Sequence, residues 1–210
     1  VGLIGRAIGT VAGEMDEQTL IVGCDGRKSS PRIKATLIKA LMESGRDIID
    51  IGQVPTPMMY FATRHLNCRS GVMITGSHNP AEDNGLKIVL NQKTIAAGGV
   101  QQIKERVIQN KFSAGSGRMI REDVVGDYTD EVVSDIAIAV PLKIVIDAGN
   151  GVTGKIAPQL FEELGCEVVP IYCEVDGDFP NHPPDTSDED NLDDLIEAVE
   201  RGSESIAGFD

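Results

Sequence analysis

The chain has 210 residues, 41% of them apolar, which is enough to bury the core of one large or two small domains. Asp and Glu outnumber Lys and Arg by 33 to 19, for a formal net charge of −14, and this argues against nucleic acid or an anionic membrane as a partner. Trp is absent, which excludes a sugar platform of stacked Trp. Cys24, Cys68, Cys166 and Cys173 form no CxxC pair and no zinc spacing, so they read as reduced thiols of a cytoplasmic protein.

The sequence opens at Val1, without Met, and Leu3, Ile4, Ala7, Ile8 and Val11 recur at helical spacing, as expected of a fragment that starts in a helix. Leu20 to Gly23 predicts a strand, Asp25 to Ser30 a loop, and Ile33, Leu37, Ile38 and Leu41 a helix that Ser30 caps and Gly45 closes. Asp47 to Gly52 is a second strand, with a helix through Phe61 to about Leu66 after it. Val72 to Ile74 is a third strand and Leu86 to Leu90 a fourth. A helix from about Val100 to Asn110 precedes Lys111 to Arg118, whose Lys, Ser and Gly content predicts a linker.

The charge also turns there. Residues 1–120 hold 15 Lys and Arg against 10 Asp and Glu, and residues 121–210 hold 4 against 23. We place a domain boundary near residue 120, giving units 1–120 and 121–210. The second unit predicts a helix at 122–136, a strand at Leu142 to Ile146 ending in Asp147-Ala148-Gly149-Asn150-Gly151, a helix at 154–164 and a strand at 167–172. A polar loop, Glu174 to Asp190, leads to a helix at 191–200 whose Leu192, Leu195, Ile196 and Val199 face a core, and to a last strand at 205–209. The fold class is α/β: two βα-alternating domains, each a largely parallel mixed sheet flanked by helices. No apolar run is long enough for a membrane helix.

The stretch around which these elements are arranged is Thr75-Gly76-Ser77-His78-Asn79-Pro80. Gly76 removes a side chain next to Ser77, and Pro80 prevents a regular continuation, so Ser77 is presented at a strand end. A serine hydroxyl needs a base, a metal or a pre-attached group to react, and His78, Asn79 and Lys87 are the polar residues at hand. The residue types alone favour an ordinary turn. A GxSxG elbow with a triad is not present, which argues against a serine hydrolase.

TGSHNP followed by NGLK resembles the phosphoserine loop of the α-D-phosphohexomutases, the phosphomannomutase/phosphoglucomutase family, and the resemblance covers essentially all 210 residues. It implies that Ser77 carries a phosphoryl group and passes it to and from a hexose phosphate through a hexose bisphosphate. It implies a role for Lys87 beside the phosphoryl, a lesser one for His78, and phosphate or substrate contacts from Arg27 of the DGR loop and from Asn79. Mg2+ is the implied metal, held by the Ser77 phosphate and by Asp210, where a GFD strand end in the family continues into an aspartate-rich loop. The resemblance makes this chain domain 1 and most of domain 2, with domains 3 and 4 and an upstream Arg-containing loop lying outside it. Gly76 resembles the mannose/glucose branch, since phosphoglucosamine mutases usually carry Ala there. Ala81-Glu82-Asp83 departs from the Pro and aromatic residue often found after the loop. The alternatives are a phosphoglucosamine mutase and a non-catalytic sugar-phosphate binding module.

Overall fold

The structure is a computed structural model and describes residues 1–202; Asp210 and the strand expected at 205–209 lie outside the described residues. The chain divides into two compact units. The first comprises Val1–Asp25, Ser29–Thr75 and Gly85–Val124, and the second takes residues 125 onward together with two short segments, Gly26–Lys28 and Gly76–Asn84.

In the first unit, β1 (Thr19–Cys24), β2 (Asp47–Gln53), β3 (Gly71–Ile74), β4 (Leu86–Leu90), β5 (Lys93–Thr94) and β6 (Met119–Arg121) form one sheet in the order β5-β4-β3-β1-β2-β6. Strands β3, β1, β2 and β6 are parallel, and β4 and β5 are added antiparallel. Because side chains alternate along a strand, Leu20, Val22 and Cys24 of β1 share one face with Val72, Ile74, Ile88 and Leu90. That face is covered by α1 (Gly2–Glu14), α2 (Ser30–Glu43) and α4 (Ala97–Gln109), which contribute Ala7, Ile8, Val11, Leu37, Leu41 and Ile103. Helix α3 (Thr56–His65) packs on β1 and β3 and buries Met58, Met59 and Ala62.

Three details differ from the sequence reading. Leu3 and Ile4 of α1 are exposed, and the buried stripe starts at Gly5 and Ala7. Ser30 does not cap α2; its hydroxyl donates to Asp25 Oδ1 instead, tying the start of the helix to the end of β1. Residues 111–118 are not a free linker. Ser113 Oγ donates to Ser44 O, Gly115 N to Glu43 O and Gly117 N to Met42 O, and the segment runs directly into β6 on the edge of the sheet. The first unit therefore continues past residue 120 to Val124.

In the second unit, β7 (Lys143–Asp147) and β8 (Glu167–Ile171) form a parallel pair. Ile144, Ile146, Ala157 and Cys166 are the buried centre, joined by Leu142, Phe161 and Val168. Helices α5 (Val125–Asp135) and α6 (Ala157–Glu163) pack together, and α7 (Asp193–Gly202) lies against β7. The apolar stripe expected of α7 is not buried, and Ile196 is 49% exposed. Among the described residues no helix is long and apolar enough to cross a membrane.

Topology sets up the site. β1 and β3 are parallel neighbours with Cys24 opposite Ile74, and Asp25 N donates to Ile74 O. The loops that follow these strands therefore leave the same end of the sheet side by side, the position at which open α/β sheets present their functional loops.

The edge strand β6 is held by Asp47, whose Oδ1 accepts from Arg118 N at 2.9 Å. That bond, aided by Gln18 and by the charges of Arg118 and Arg46, holds the Asp47 carboxyl below its ordinary value. A lowered folded-state value contributes stability above the unfolded pKa, and the contribution is lost as pH falls through the folded one. Asp47→Asn should therefore lower the thermal midpoint by about 2 °C at pH 7, and wild type and variant should converge as the pH falls through the range in which the folded carboxyl protonates; parallel melts from pH 7 downward check this.

Candidate functional site

Thr75 N donates to Gly85 O, which closes the base of the loop between β3 and β4, and residues 76–84 project beyond it. Within the loop, Asn79 N donates to Gly76 O and Asp83 N to Pro80 O, giving two successive tight turns. Ser77 occupies a central position of the first turn with φ +53°, in the left-handed region that a serine enters only when its surroundings hold it there. Its side chain is exposed, as are those of His78 and Asn79.

Arg27 supplies the surroundings. Its Nη2 donates to Ser77 O at 2.7 Å and to Asn79 O at 2.8 Å, and its Nη1 to Asp83 O at 3.2 Å and to Pro80 O. The residue is 1% exposed. The sequence reading made Arg27 a phosphate contact; in the structure its guanidinium faces the carbonyls of the Ser77 loop. Gly76 is glycine for the same reason, since a Cβ there would overlap the guanidinium.

A third segment backs the first two. The Arg27 guanidinium lies over the Phe179 ring, 5.1 Å from its centroid, and Lys28 pairs with Asp178. The backbone of residues 26–28 passes so close to Gly177 that a Cβ would meet Lys28 N at 2.6 Å and Arg27 Cα at 2.9 Å. His78 Nδ1 lies 2.9 Å from Pro184 O and donates to it. The Asp185 carboxyl is held below its usual value, first by the Ser187 hydroxyl and amide and then by the charge of His78, and the Lys28 ammonium is raised by its bond to Asp178. Around His78, Pro80, Phe179 and Pro184 these segments leave a cavity of about 280 Å³.

The backing loop is anchored in turn. Asn150 accepts from Asp176 N through its carbonyl and from Asn181 Nδ2 through Oδ1, and its own Nδ2 donates to Glu174 O. Buried Asp147 accepts from Gly149 N and from His182 Nε2, at 3.2 Å to both carboxylate oxygens, while His182 Nδ1 lies 2.9 Å from Pro183 O. Both ring nitrogens of His182 thus face acceptors, so neither serves as a base for a serine. The Nδ1 of His78 faces a carbonyl, where a triad histidine would have a carboxylate. The Asp147–Gly151 turn does structural work here.

The structure thus brings Arg27, Ser77, His78 and Asn79 together within the second unit. Lys87 is placed in the first unit, half-buried on β4 opposite Met73, with no carboxylate among the described residues at ion-pair distance. Asp210 is outside the described residues, among which no group of three His, Cys, Asp or Glu side chains is arranged to hold a metal. Sequence reasoning did not find Phe179, Asp178 or the Asp147–His182 pair. The available signal was an aromatic residue in an otherwise polar loop of a chain with only 5 Phe. A larger groove of about 650 Å³ in the first unit, between Lys34, Ile38, Met42 and Met119, includes none of the candidate site residues.

Two family models match the chain: phosphoglucomutase/phosphomannomutase alpha/beta/alpha domain I over residues 1–114 and domain II over residues 126–210. A phosphomannomutase/phosphoglucomutase of Pseudomonas aeruginosa is 48% identical over 196 residues, 93% of this chain and 42% of that protein. A phosphoglucomutase of Neisseria gonorrhoeae is 42% identical over 205 residues, 97% of this chain and 45% of that protein. The crystal structure of a phosphoglucomutase/phosphomannomutase family protein from Burkholderia thailandensis superposes with a TM-score of 0.95 at 38% identity, over 99% of this chain and 47% of that one. The chain spans about half the length of the curated relatives it matches.

The pinned guanidinium leaves no room at position 76. Gly76→Ala should destabilise the protein by about 1–3 kcal/mol through overpacking, whereas Asn79→Ala, which leaves the backbone bonds of that residue intact, should change stability by less than about 0.5 kcal/mol; urea unfolding of the two variants checks this.

Proposed function

This chain belongs to the phosphoglucomutase/phosphomannomutase family, and from that premise we propose that it forms the phosphoserine half of a mutase interconverting hexose 1-phosphates and hexose 6-phosphates. The observation that carries the reading is Ser77, an exposed hydroxyl on a backbone held in the left-handed region. Phosphoryl transfer asks the protein for positioning and charge stabilisation more than for covalent chemistry, and a serine fixed in place while its oxygen stays accessible suits that demand.

In the proposed cycle the bond between phosphorus and Ser77 Oγ breaks as a bond forms to the free hydroxyl of a hexose monophosphate. The sugar hydroxyl loses its proton and Ser77 Oγ regains one. The resulting bisphosphate turns over and returns its other phosphoryl to Ser77. Lys87 is assigned the task of offsetting charge on the transferring group and assisting the proton. Asn79 is assigned a substrate or phosphate contact, and His78 a supporting part that its bond to Pro184 O favours. For Arg27 the geometry favours holding the loop over touching phosphate.

Magnesium fits the donor set assigned to it, which is all hard oxygen: a phosphoryl on exposed Ser77 and the Asp210 carboxylate. When bound, it would neutralise charge on the transferring phosphoryl. Domains 3 and 4 of a longer parent chain are proposed as the partners that complete the substrate site, so residues 1–210 alone should turn over little or no hexose phosphate. Mannose or glucose is preferred to glucosamine on the names of the relatives and on Gly76. Cys24, Cys68, Cys166 and Cys173 form no disulfide, which favours a reducing, cytoplasmic setting.

Incubating the full-length protein with a hexose 1,6-bisphosphate and magnesium should add roughly 80 Da on the peptide containing Ser77, and Ser77→Ala should remove both the label and the turnover. Lys87→Ala should keep the label and lower kcat about 100-fold. An unlabelled Ser77 in protein that binds hexose phosphate would return the function to a sugar-phosphate binding module.

A further inference from the structure

Among the described residues Arg27 is the largest fully buried side chain. Its terminal nitrogens donate to the carbonyls of residues 77, 79, 80 and 83, so a rigid planar fork is spent on one nine-residue loop. A carbonyl bonded to a charged donor is held more tightly than one bonded to a neutral donor. The carbonyls ring the edge of the guanidinium, and one of its faces lies over Phe179, on a loop whose Gly177 is packed against the backbone of residues 26–28. Turning the guanidinium would break the carbonyl bonds, and Phe179 occupies the space on that face.

We infer that Arg27, backed by Phe179, is a positioning residue for the phosphoryl-carrying serine: it fixes the backbone at Ser77 so that Oγ meets its partner in line. The inference rests on the mutase reading of Ser77. A flexible ammonium cannot reproduce a fork that bridges four carbonyls, so Arg27→Lys keeps the charge and loses the geometry. A displacement of the order of 1 Å at a reacting atom lowers a rate about 100-fold.

The test uses the full-length protein with Arg27→Lys, Arg27→Ala and Phe179→Leu, and it reads the loop separately from the chemistry. Hydrogen exchange at the Asn79 and Asp83 amides, which close the two turns of the loop, should quicken at least tenfold in Arg27→Lys while the amides of β1 and β7 keep their protection. In the same variant kcat should fall about 100-fold with KM for the hexose phosphate changed less than threefold, and added guanidinium ion should restore part of the rate of Arg27→Ala. Phe179→Leu, which preserves bulk in the backing loop, should move exchange and kcat in the same direction by about tenfold. A raised KM at unchanged kcat would overturn the inference in favour of a direct phosphate contact. Unchanged exchange at both amides would overturn it whatever the rates. Should the Arg27 variants fail to fold, unchanged exchange and kcat in Phe179→Leu would overturn it. Quickened exchange in Arg27→Lys, with wild-type protein that never takes label on Ser77, would leave the clamp standing and overturn only the mutase reading.

Discussion

A guanidinium taken out of water must find acceptors for its N–H groups, and Arg27 finds them in the carbonyls of the segment that carries Ser77. That requirement fixes more than one pair of residues. It forbids a side chain at position 76, determines where residues 77–83 can run, and calls for a flat apolar surface on one face of the guanidinium, which Phe179 provides. Arg27 holds the loop through its backbone only, so the serine and asparagine side chains remain exposed, while His78 reaches Pro184 O.

A single line of support runs through the second unit. It begins at β7, where Asp147 and Asn150 follow a buried strand, and passes through hydrogen bonds to Glu174, Asp176, Asn181 and His182. It continues through Asp178, Phe179 and Pro184 to Lys28, Arg27 and His78. This explains why residues 26–28 and 76–84 group with the second unit although they follow β1 and β3 of the first in the chain. A loop held in this way keeps its shape without belonging to a regular element, at the expense of conformational freedom that no turn sequence alone would remove.

Much of this was legible in the sequence. The strands β1 to β4, β7 and β8 and the helices α2, α3, α4 and α6 follow from apolar spacing, and the alternation of the two types gave the α/β class. The loop around Ser77 could be placed at a strand end because Gly and Pro punctuate it. Strand β6 was not legible: its three residues are all exposed, and their pairing with β2 is specified by Asp47 and by the packing of residues 113–117, neither of which leaves a periodic signal. The same packing explains why a Ser/Gly-rich stretch read as a linker is held along the first unit. Arg27 was singled out from the sequence as a phosphate contact, yet composition cannot say whether a guanidinium turns toward a ligand or toward carbonyls. The backing role of Phe179 was hidden because it depends on a contact some 150 residues away in sequence, so nothing local marks it.

The account's central claim is that Ser77 holds a phosphoryl group destined for a sugar. The most direct measurement charges the full-length protein with radiolabelled phosphoryl from a hexose bisphosphate, removes excess label, adds unlabelled hexose 6-phosphate with magnesium, and identifies the product that carries the label. The account predicts labelled hexose bisphosphate within the time of one turnover. Label recovered as inorganic phosphate, or retained on the protein through many turnover times, would contradict it.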